Sequence, residues 1–341
     1  MSYVHRLVGL FYCCCLSGCA GRALDLDHSA PAPSAGMTPP PIVVLKERVA
    51  SVWVDAQRLY WLTAGPAEFT NLYSCLKLDC AHTKVTYEEL IGTSRGVAVD
   101  GKYIFWASWN ADISACPVDG CGSRPVTITQ DPALNHRIFA DREYVYWSSD
   151  LDLYRCPASG CAATPEVVSL SGITDHLAFD ETRAYWLGQT GIFSAPKDGS
   201  EPPRVVIELE PLGEDVTFDR NRDLAVGGDY VYWATQRQIF RCPVASCMST
   251  GPTLLVSASA AISDLKLDAT AIYWLESDTV HSCPLTGCES SSVLTPQVAS
   301  AFYLYAPARY AVDESDLYWI EPSTPTGEQD GWGGPVRRTP K

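Results

Sequence analysis

The sequence is short of the features on which membrane-spanning and many catalytic readings rest. No apolar run is long enough to cross a bilayer: the N-terminal one, Leu7 to Leu16, has ten residues, and a spanning helix needs roughly 20. No sustained 3.6-residue apolar period appears, which leaves little room for amphipathic helix. There is no His-Glu-x-x-His and no phosphate-cradling glycine loop. Histidine is scarce, with six in 341 residues. His5 and His28 fall in N-terminal segments outside the body, and His82, His136, His176 and His281 form no recognisable ligand pair. Basic residues are outnumbered, 25 against 40 acidic ones, for a formal net charge of −15. Such a surface repels phosphate backbones and anionic headgroups, so nucleic acid is excluded as a partner. No cofactor and no metal is implied.

At 46% hydrophobic and 19% charged, the composition is nonetheless that of a globular chain able to bury a large core. Its N-terminus reads as a targeting segment: Arg6 supplies the positive start and the run to Leu16 the apolar stretch. Leu16-Ser17-Gly18-Cys19 follows and resembles the lipobox of bacterial lipoproteins. That resemblance implies cleavage before Cys19 and acylation of its sulfur and new amino terminus, giving the multiple acyl chains that stable anchoring needs. An ordinary secretory peptide cut nearby is the alternative. Residue 20 is Ala rather than Asp, which by the same resemblance points to the outer membrane. From Gly21 the chain is rich in Ala, Pro and Ser, including Pro31-Ala32-Pro33-Ser34 and Pro39-Pro40-Pro41, the composition of a tether. The expected organisation is a signal peptide over 1–18, a lipidated Cys19 with tether over 19–40, and a folded body over 41–341.

The body is written as a repeat. An aromatic-Trp pair recurs as Tyr60-Trp61, Phe105-Trp106, Tyr146-Trp147, Tyr185-Trp186, Tyr232-Trp233, Tyr273-Trp274 and Tyr318-Trp319, at steps of 39 to 47 residues. Each unit holds four short strand-like runs. In the second these are Val97 to Val99, Tyr103 to Trp106, Ile113 to Cys116 and Pro125 to Ile128, the first two separated by an Asp-Gly turn signal. Six units carry Asp six residues before the Trp (Asp55, Asp100, Asp141, Asp180, Asp268, Asp313), and the fifth has Gly227. Both types suit a tight turn, so this position is read as turn chemistry rather than a calcium ring. The seventh unit stops after its third strand, while Pro41-Ile42-Val43-Val44-Leu45 resembles a fourth one. The expected fold is all-β: a seven-bladed β-propeller of four-stranded antiparallel blades, closed by the N-terminal strand. These repeats resemble the tyrosine-tryptophan type found in the lipoprotein-receptor-like propeller superfamily and in related bacterial exported proteins. They depart from it in lacking the Thr-Asp that often follows the pair, and in number, since that family usually has six blades.

Of 14 cysteines, Cys13, Cys14 and Cys15 lie in the signal and Cys19 is the lipid site. The other ten form five Cys-x4-Cys pairs: Cys75/Cys80, Cys116/Cys121, Cys156/Cys161, Cys242/Cys247 and Cys283/Cys288, each across the turn between third and fourth strands. In the fourth unit Ala195 and Ser200 replace both at once, as disulfide pairing predicts. An exported location permits the oxidation. Isolated pairs without histidines do not make a zinc site.

Functional positions are sought where the units disagree while staying polar. Just before the first strand they carry Arg95-Gly96, His136-Arg137, Asp175-His176, Arg222-Asp223, Ser263-Asp264 and Ala308-Arg309. In a propeller these flank the mouth of the central channel. Loops of unequal length share that face: Thr63 to Asn71 with Phe69, the short loop with Trp109, and Glu321 to Pro335 with Trp332, besides the acidic stretch Glu208 to Arg222. Off-register aromatics on one rim point to a binding patch. The first reading is a membrane-anchored binding or scaffold module for a protein or glycan. A channel-mouth lyase or hydrolase using His136, His176, Asp175 and Asp264 is the second, and a purely structural envelope protein the third. Replacing Cys19 with alanine should release the protein from sedimented membranes; a variant that still sediments like the wild type would count against the lipoprotein reading.

Overall fold

The computed structural model describes residues 42–341 apart from 66–67, 90–95, 108–111, 123–124, 131–133, 142, 150–151, 162–163, 170–176, 189, 210–222, 300–307 and 323–333. Among the described residues the chain is almost wholly antiparallel strand, with one four-residue helix, Cys247–Thr250, in the fifth unit. No described helix is long and apolar enough to cross a membrane. Five sheets have four strands each, in chain order from first to fourth. That of the second unit runs Gly96–Val99, Tyr103–Ala107, Asp112–Pro117 and Val126–Gln130.

The remaining sheet has seven strands because Ile42–Val54 serves two units. Its first half pairs with Gly334–Pro340, Ile42 opposite Arg338 and Leu45 opposite Val336. Its second half pairs with Arg58–Gly65, Val52 opposite Trp61. The sequence predicts two separate strands here; the structure runs them together through register shifts between Val43 and Val49. The pairing gives partners to the backbone edge that the three-stranded seventh unit would otherwise leave open.

Consecutive strand residues point to opposite faces, so each aromatic-Trp pair serves both neighbours of its sheet. Seven apolar clusters follow from this. They join Tyr60 to Trp106, Phe105 to Trp147, Tyr146 to Trp186, Tyr185 to Trp233, Tyr232 to Trp274, Tyr273 to Trp319, and Tyr318 to Trp61. Burying one indole of roughly 200 Å² contributes on the order of 5 kcal/mol before entropy is counted. In five units the Trp lies opposite a third-strand ring of its own sheet, as in Trp61–Tyr73, Trp186–Phe193, Trp233–Phe240 and Trp274–His281, with centroids 5.4 to 6.1 Å apart, whereas Ser114 and Arg337 stand opposite Trp106 and Trp319.

The repeated Asp builds the turn between first and second strands. In all six units its Oδ1 accepts the backbone N–H groups two and three residues on, at 2.6 to 2.9 Å. Its Oδ2 accepts the hydroxyl of the paired Tyr in four of them, from Tyr60, Tyr146, Tyr185 and Tyr273. The fifth unit needs no Asp, because Gly228 and Asp229 form a two-residue hairpin with φ of 58° and 66°, the positive values such a turn demands. Lysines from the third-to-fourth-strand turn of one unit reach the Asp of the unit before. Lys77 donates to Asp313 at 2.6 Å, Lys197 to Asp141 at 2.7 Å, and Lys341 to Asp268. Burial pushes the Asp141, Asp268 and Asp313 carboxyls up, but these lysines and the turn N–H groups outweigh it and hold them below the usual range.

All five Cys-x4-Cys pairs are disulfides: Cys75–Cys80, Cys116–Cys121, Cys156–Cys161, Cys242–Cys247 and Cys283–Cys288, with Cα atoms 4.8 to 5.5 Å apart. The first cysteine of each pair is buried near the end of its third strand. Each pair straddles the turn that follows the third strand, and the second cysteine stands short of the fourth. Cys80, Cys121, Cys161 and Cys288 are only half-buried and lie in the turn itself, ahead of fourth strands that open at Val85, Val126, Glu166 and Ser292. Cys247 differs again, being buried at the start of the short helix. A ring closed over so few residues reverses the chain before the fourth-strand ladder begins, so each bridge fixes the turn rather than the strand pairing. Its entropic contribution is accordingly modest, about 2 kcal/mol.

Asp100 is the turn carboxylate with least support: its Oδ2 is buried without a partner. Phe105 stands where four other units donate a Tyr hydroxyl, and Ala158 stands where Lys197 reaches Asp141. Phe105→Tyr should therefore raise stability by about 1 kcal/mol, read from the urea unfolding midpoint. A lower midpoint would show that the hydroxyl does not fit.

Candidate functional site

At the end of the sheets opposite the Asp and disulfide turns, the first strands of the third and sixth units break register where the units disagree. In the third unit Asn135 pairs with Ser148 and Ile138 with Trp147, so His136 and Arg137 are extra residues in the strand Leu134–Ala140. In the sixth, Ser263 pairs with Leu275 and Lys266 with Tyr273, with the break at Asp264-Leu265. Such bulges bend a strand and re-aim its side chains. Asp264 takes a φ of 56° inside a strand, a conformation that costs a non-glycine residue about 1–2 kcal/mol.

The first strands of the fifth, sixth and seventh units, Asp223–Gly227, Ile262–Leu267 and Tyr310–Val312, bring a mixed-charge cluster together here. Asp223 fixes the bulge: its Oδ2 accepts the Leu265 N–H at 2.7 Å and its Oδ1 the Leu224 N–H at 2.9 Å. Asp264 Oδ1 is bonded by Lys266 Nζ, whose ammonium also lies 4.3 Å from the centre of the Tyr310 ring. The fully buried Tyr310 donates its hydroxyl to the Asp264 carbonyl. Arg309 pairs with Asp278 at 2.9 Å and reaches Ser263 Oγ at 3.4 Å. Asp264 Oδ2 is shielded from solvent and has no hydrogen-bond partner. Burial raises the Asp264 carboxyl above its usual range, with Asp223 adding to this and Lys266 and Arg309 opposing it. Burial likewise drives the Tyr310 hydroxyl well up.

Of the residues chosen from sequence, the structure brings together Asp223, Asp264 and Arg309. It places His136 and Arg137 at the third-unit bulge, and the placement of their side chains is not described. Arg95, Trp109, Asp175, His176, Arg222 and Trp332 lie outside the described residues, as do Cys19 and most of the acidic stretch from Glu208 to Arg222. The expected loop from Thr63 to Asn71 is a correction: the strands Arg58–Gly65 and Glu68–Leu76 extend into it from both sides, with Phe69 paired to Ala64. Continued pairing satisfies backbone groups that a loop would leave to water. Gly92 to Gly96 has the Gly-x-Ser-x-Gly spacing of a nucleophile elbow. That motif requires a helix after the turn, whereas Gly96 opens a strand.

Sequence reasoning missed Lys266 and Tyr310, although a signal was present. Nine residues before the Trp the other units carry Val52, Val97, Ile138, Leu177, Leu224 and Leu265, and the seventh carries Tyr310. One position later stand Trp53, Ala98, Phe139, Ala178, Ala225 and Ala311, and the sixth unit has Lys266. His281 is missed in another sense: it stacks on Trp274 and bonds Thr279, in the place of a third-strand ring. Glu276, near it, accepts the N–H and hydroxyl of Ser259 and the N–H of Ala260, closing the loop before the sixth first strand. Among the described residues no group of three His, Cys, Asp or Glu is arranged to hold a metal ion.

No protein-family model matches the chain, and no curated protein matches its sequence. Solved structures do resemble it in fold. The WD40 β-propeller domain of Doa1 matches with a TM-score of 0.56 at 14% identity, over 88% of this chain and 95% of that one. YCF48 bound to the D1 peptide matches with a TM-score of 0.55 at 12% identity, over 88% and 95%. BamB from Moraxella catarrhalis matches with 0.53 at 12%, over 86% and 85%. The repeated four-stranded sheets are thus those of a β-propeller.

The two half-buried carboxylates should respond differently to mutation. Asp223→Ala strips an acceptor from two N–H groups and should cost about 1–3 kcal/mol. Asp264→Gly relieves the positive φ and should cost less than about 1 kcal/mol. Urea unfolding of both variants checks this, and the reverse order would make Asp264 the structural carboxylate.

Proposed function

We propose that this chain is a lipid-anchored β-propeller of seven blades, closed by its N-terminal strand, that binds a protein or glycan in the bacterial envelope through its channel-mouth face. Seven blades are supported by the seven aromatic clusters, the last joining Tyr318 to Trp61. Closure is supported by the double pairing of Ile42–Val54, by the Val52 N–H bonded to the Ala308 carbonyl at 2.9 Å, and by Lys77 on Asp313. The anchor rests on Leu16-Ser17-Gly18-Cys19 and the tether after it, and the outer membrane on Ala20. Five disulfides fit an oxidising compartment.

The binding reading is carried by one coincidence. The positions at which the units disagree, the breaks in register, and the partly buried charged cluster all fall at the same end of the first strands. A repeat protein keeps its packing positions alike, so departures gathered on one face are where a ligand is met. YCF48, of similar fold, has a peptide bound, and a protein segment is the partner class we favour for this chain. A photo-crosslinking residue at Gln236, in the exposed loop beside the Asp223 pairing partner Ala234, should capture the partner in intact envelopes. The same residue at Leu78, which is 96% exposed on the disulfide-turn face, should not. Capture at Leu78 alone, or equally at both, would reject the assignment of the face.

A further inference from the structure

We propose that a small thiol exchanges into four of the five disulfides, at Cys80, Cys121, Cys161 and Cys288, that Cys242–Cys247 is closed to it, and that exchange loosens joints between units. A thiolate must reach one sulfur of a bridge to displace the other. The first cysteine of every pair offers no approach: Cys75, Cys116, Cys156, Cys242 and Cys283 are at most 1% exposed. The second cysteine differs between pairs. Cys80, Cys121, Cys161 and Cys288 are half-buried in their turns, whereas Cys247 is 1% exposed.

A local cause of that difference lies one residue earlier. In the second and third units Gly120 and Gly160 precede the second cysteine, with φ of 122° and 112°, and the chain stays in a surface turn. The fifth unit has Ser246 there, at a φ of −133°, and the chain coils at once into the helix Cys247–Thr250. The Ser249 and Thr250 N–H groups bond back to the Ser246 carbonyl at 2.9 Å. Cys247 is thereby turned inward, to pack with Val206 and Ile207 of the fourth unit. Both ends of that bridge are under cover.

In the exchange the incoming thiolate bonds to the sulfur of the second cysteine as the old disulfide bond breaks. The electron pair leaves with the sulfur of the first cysteine, which takes a proton from water. No net oxidation or reduction occurs, since one disulfide and one thiolate replace another of each. The freed Cys75, Cys116, Cys156 or Cys283 lies in an apolar cluster, where burial disfavours the thiolate. It stays within reach of the mixed disulfide, because the Cα atoms of these pairs are 4.8 to 5.5 Å apart. Removing the small thiol therefore restores the bridge.

Three of the four turns carry a bond to a neighbouring unit. Between Cys75 and Cys80 stands Lys77, which holds Asp313 of the seventh unit. Between Cys116 and Cys121, the Val118 carbonyl and the Asp119 carboxylate accept from Tyr87 and Arg58 of the first unit. Between Cys283 and Cys288, the Leu285 carbonyl accepts from Arg241 of the fifth. The fourth unit keeps Lys197 on Asp141 without a bridge, but Pro196 and Gly199, the latter at a φ of 68°, fix its turn. The first unit has Leu76 and Asp79 in those places, so the aim of Lys77 depends on its disulfide.

The test exposes the intact, oxidised chain to cysteamine, a small thiol whose ammonium suits a net charge of −15. After an acid quench, free thiols are capped with N-ethylmaleimide and unreduced peptides are read by mass spectrometry. Cysteamine should appear on Cys80, Cys121, Cys161 and Cys288, with maleimide on their partners. Reaction at Cys242 or Cys247 should be at least about tenfold slower. In guanidinium the five pairs should react alike, because the fold and not the local sequence protects the fifth. Reductive methylation then reads the joints: exchange should raise labelling of Lys77 severalfold and leave Lys197 unchanged. Cysteamine on the first cysteines, or a fifth bridge as fast as the rest in the folded chain, overturns the selectivity. So does protection of the fifth bridge that persists in guanidinium. Labelling of Lys77 that stays constant, or that rises together with Lys197, overturns the loosening of the joints.

Discussion

Everything in this structure depends on the placing of two adjacent aromatic residues on one strand. Because neighbours on a strand face opposite ways, Tyr146 turns toward Trp186 in the next unit while Trp147 turns toward Phe105 in the one before. No sheet can bury its own tryptophan. An isolated unit would expose both rings, losing on the order of 10 kcal/mol of burial, so the units are stable only as a series. The same requirement explains the long first strand. Trp61 needs a ring on its open side, and Tyr318 comes from the far end of the chain. Pairing of Ile42–Val54 with Gly334–Pro340 is the backbone counterpart of that contact.

Polar stitching at the turn end follows location rather than residue identity. The guanidinium that bonds the next unit's hairpin is delivered from the second strand by Arg58, which reaches Asp119. In the third and fifth units it comes instead from the third strand. Arg155 bonds the Lys197 and Asp198 carbonyls, and Arg241 the Leu285 carbonyl. The residue opposite adjusts accordingly: Ser74 stands across from Arg58's neighbour Tyr60, and accepts from Arg58, whereas Tyr144 and Tyr230 stack on Arg155 and Arg241. The same kind of contact is thus made from two different strands.

This division explains what could be read from the sequence. The tryptophans, the turn Asp and the cysteine pairs were legible because each repeats a local geometry, and even the exception at Gly227 is local, a two-residue turn at Gly228-Asp229. The spacing of the cysteines gave their pairing but not the strand boundary, which falls after Cys80, Cys121, Cys161 and Cys288. The lysine bridges were not legible at all. Lys77 meets Asp313, 236 residues away, and lysine stands at that place in only three units. At the candidate site, Asp223, Asp264 and Arg309 were found as polar positions that vary. Lys266 and Tyr310 were overlooked because they occupy positions that the other units fill with apolar residues, where variation in polarity was not sought. The merged strand at residues 42–54 was hidden for a different reason: a bulge absorbs the mismatch between two registers without leaving a turn residue to mark it.

The bulge at Asp264 is the point where local preference and global fold disagree. Glycine holds positive φ without cost and the chain uses it so at Gly228, yet at residue 264 it places a carboxylate. The surroundings over-determine that choice. Asp223 clamps the next N–H, Tyr310 bonds the carbonyl of the strained residue itself, and Lys266 draws its side chain across the aromatic face. Three neighbours thus hold one residue in a conformation that it would leave if free, while one oxygen of its carboxylate goes unused. The positive φ and the unfilled oxygen are local costs, and the contacts that hold the bulge offset them.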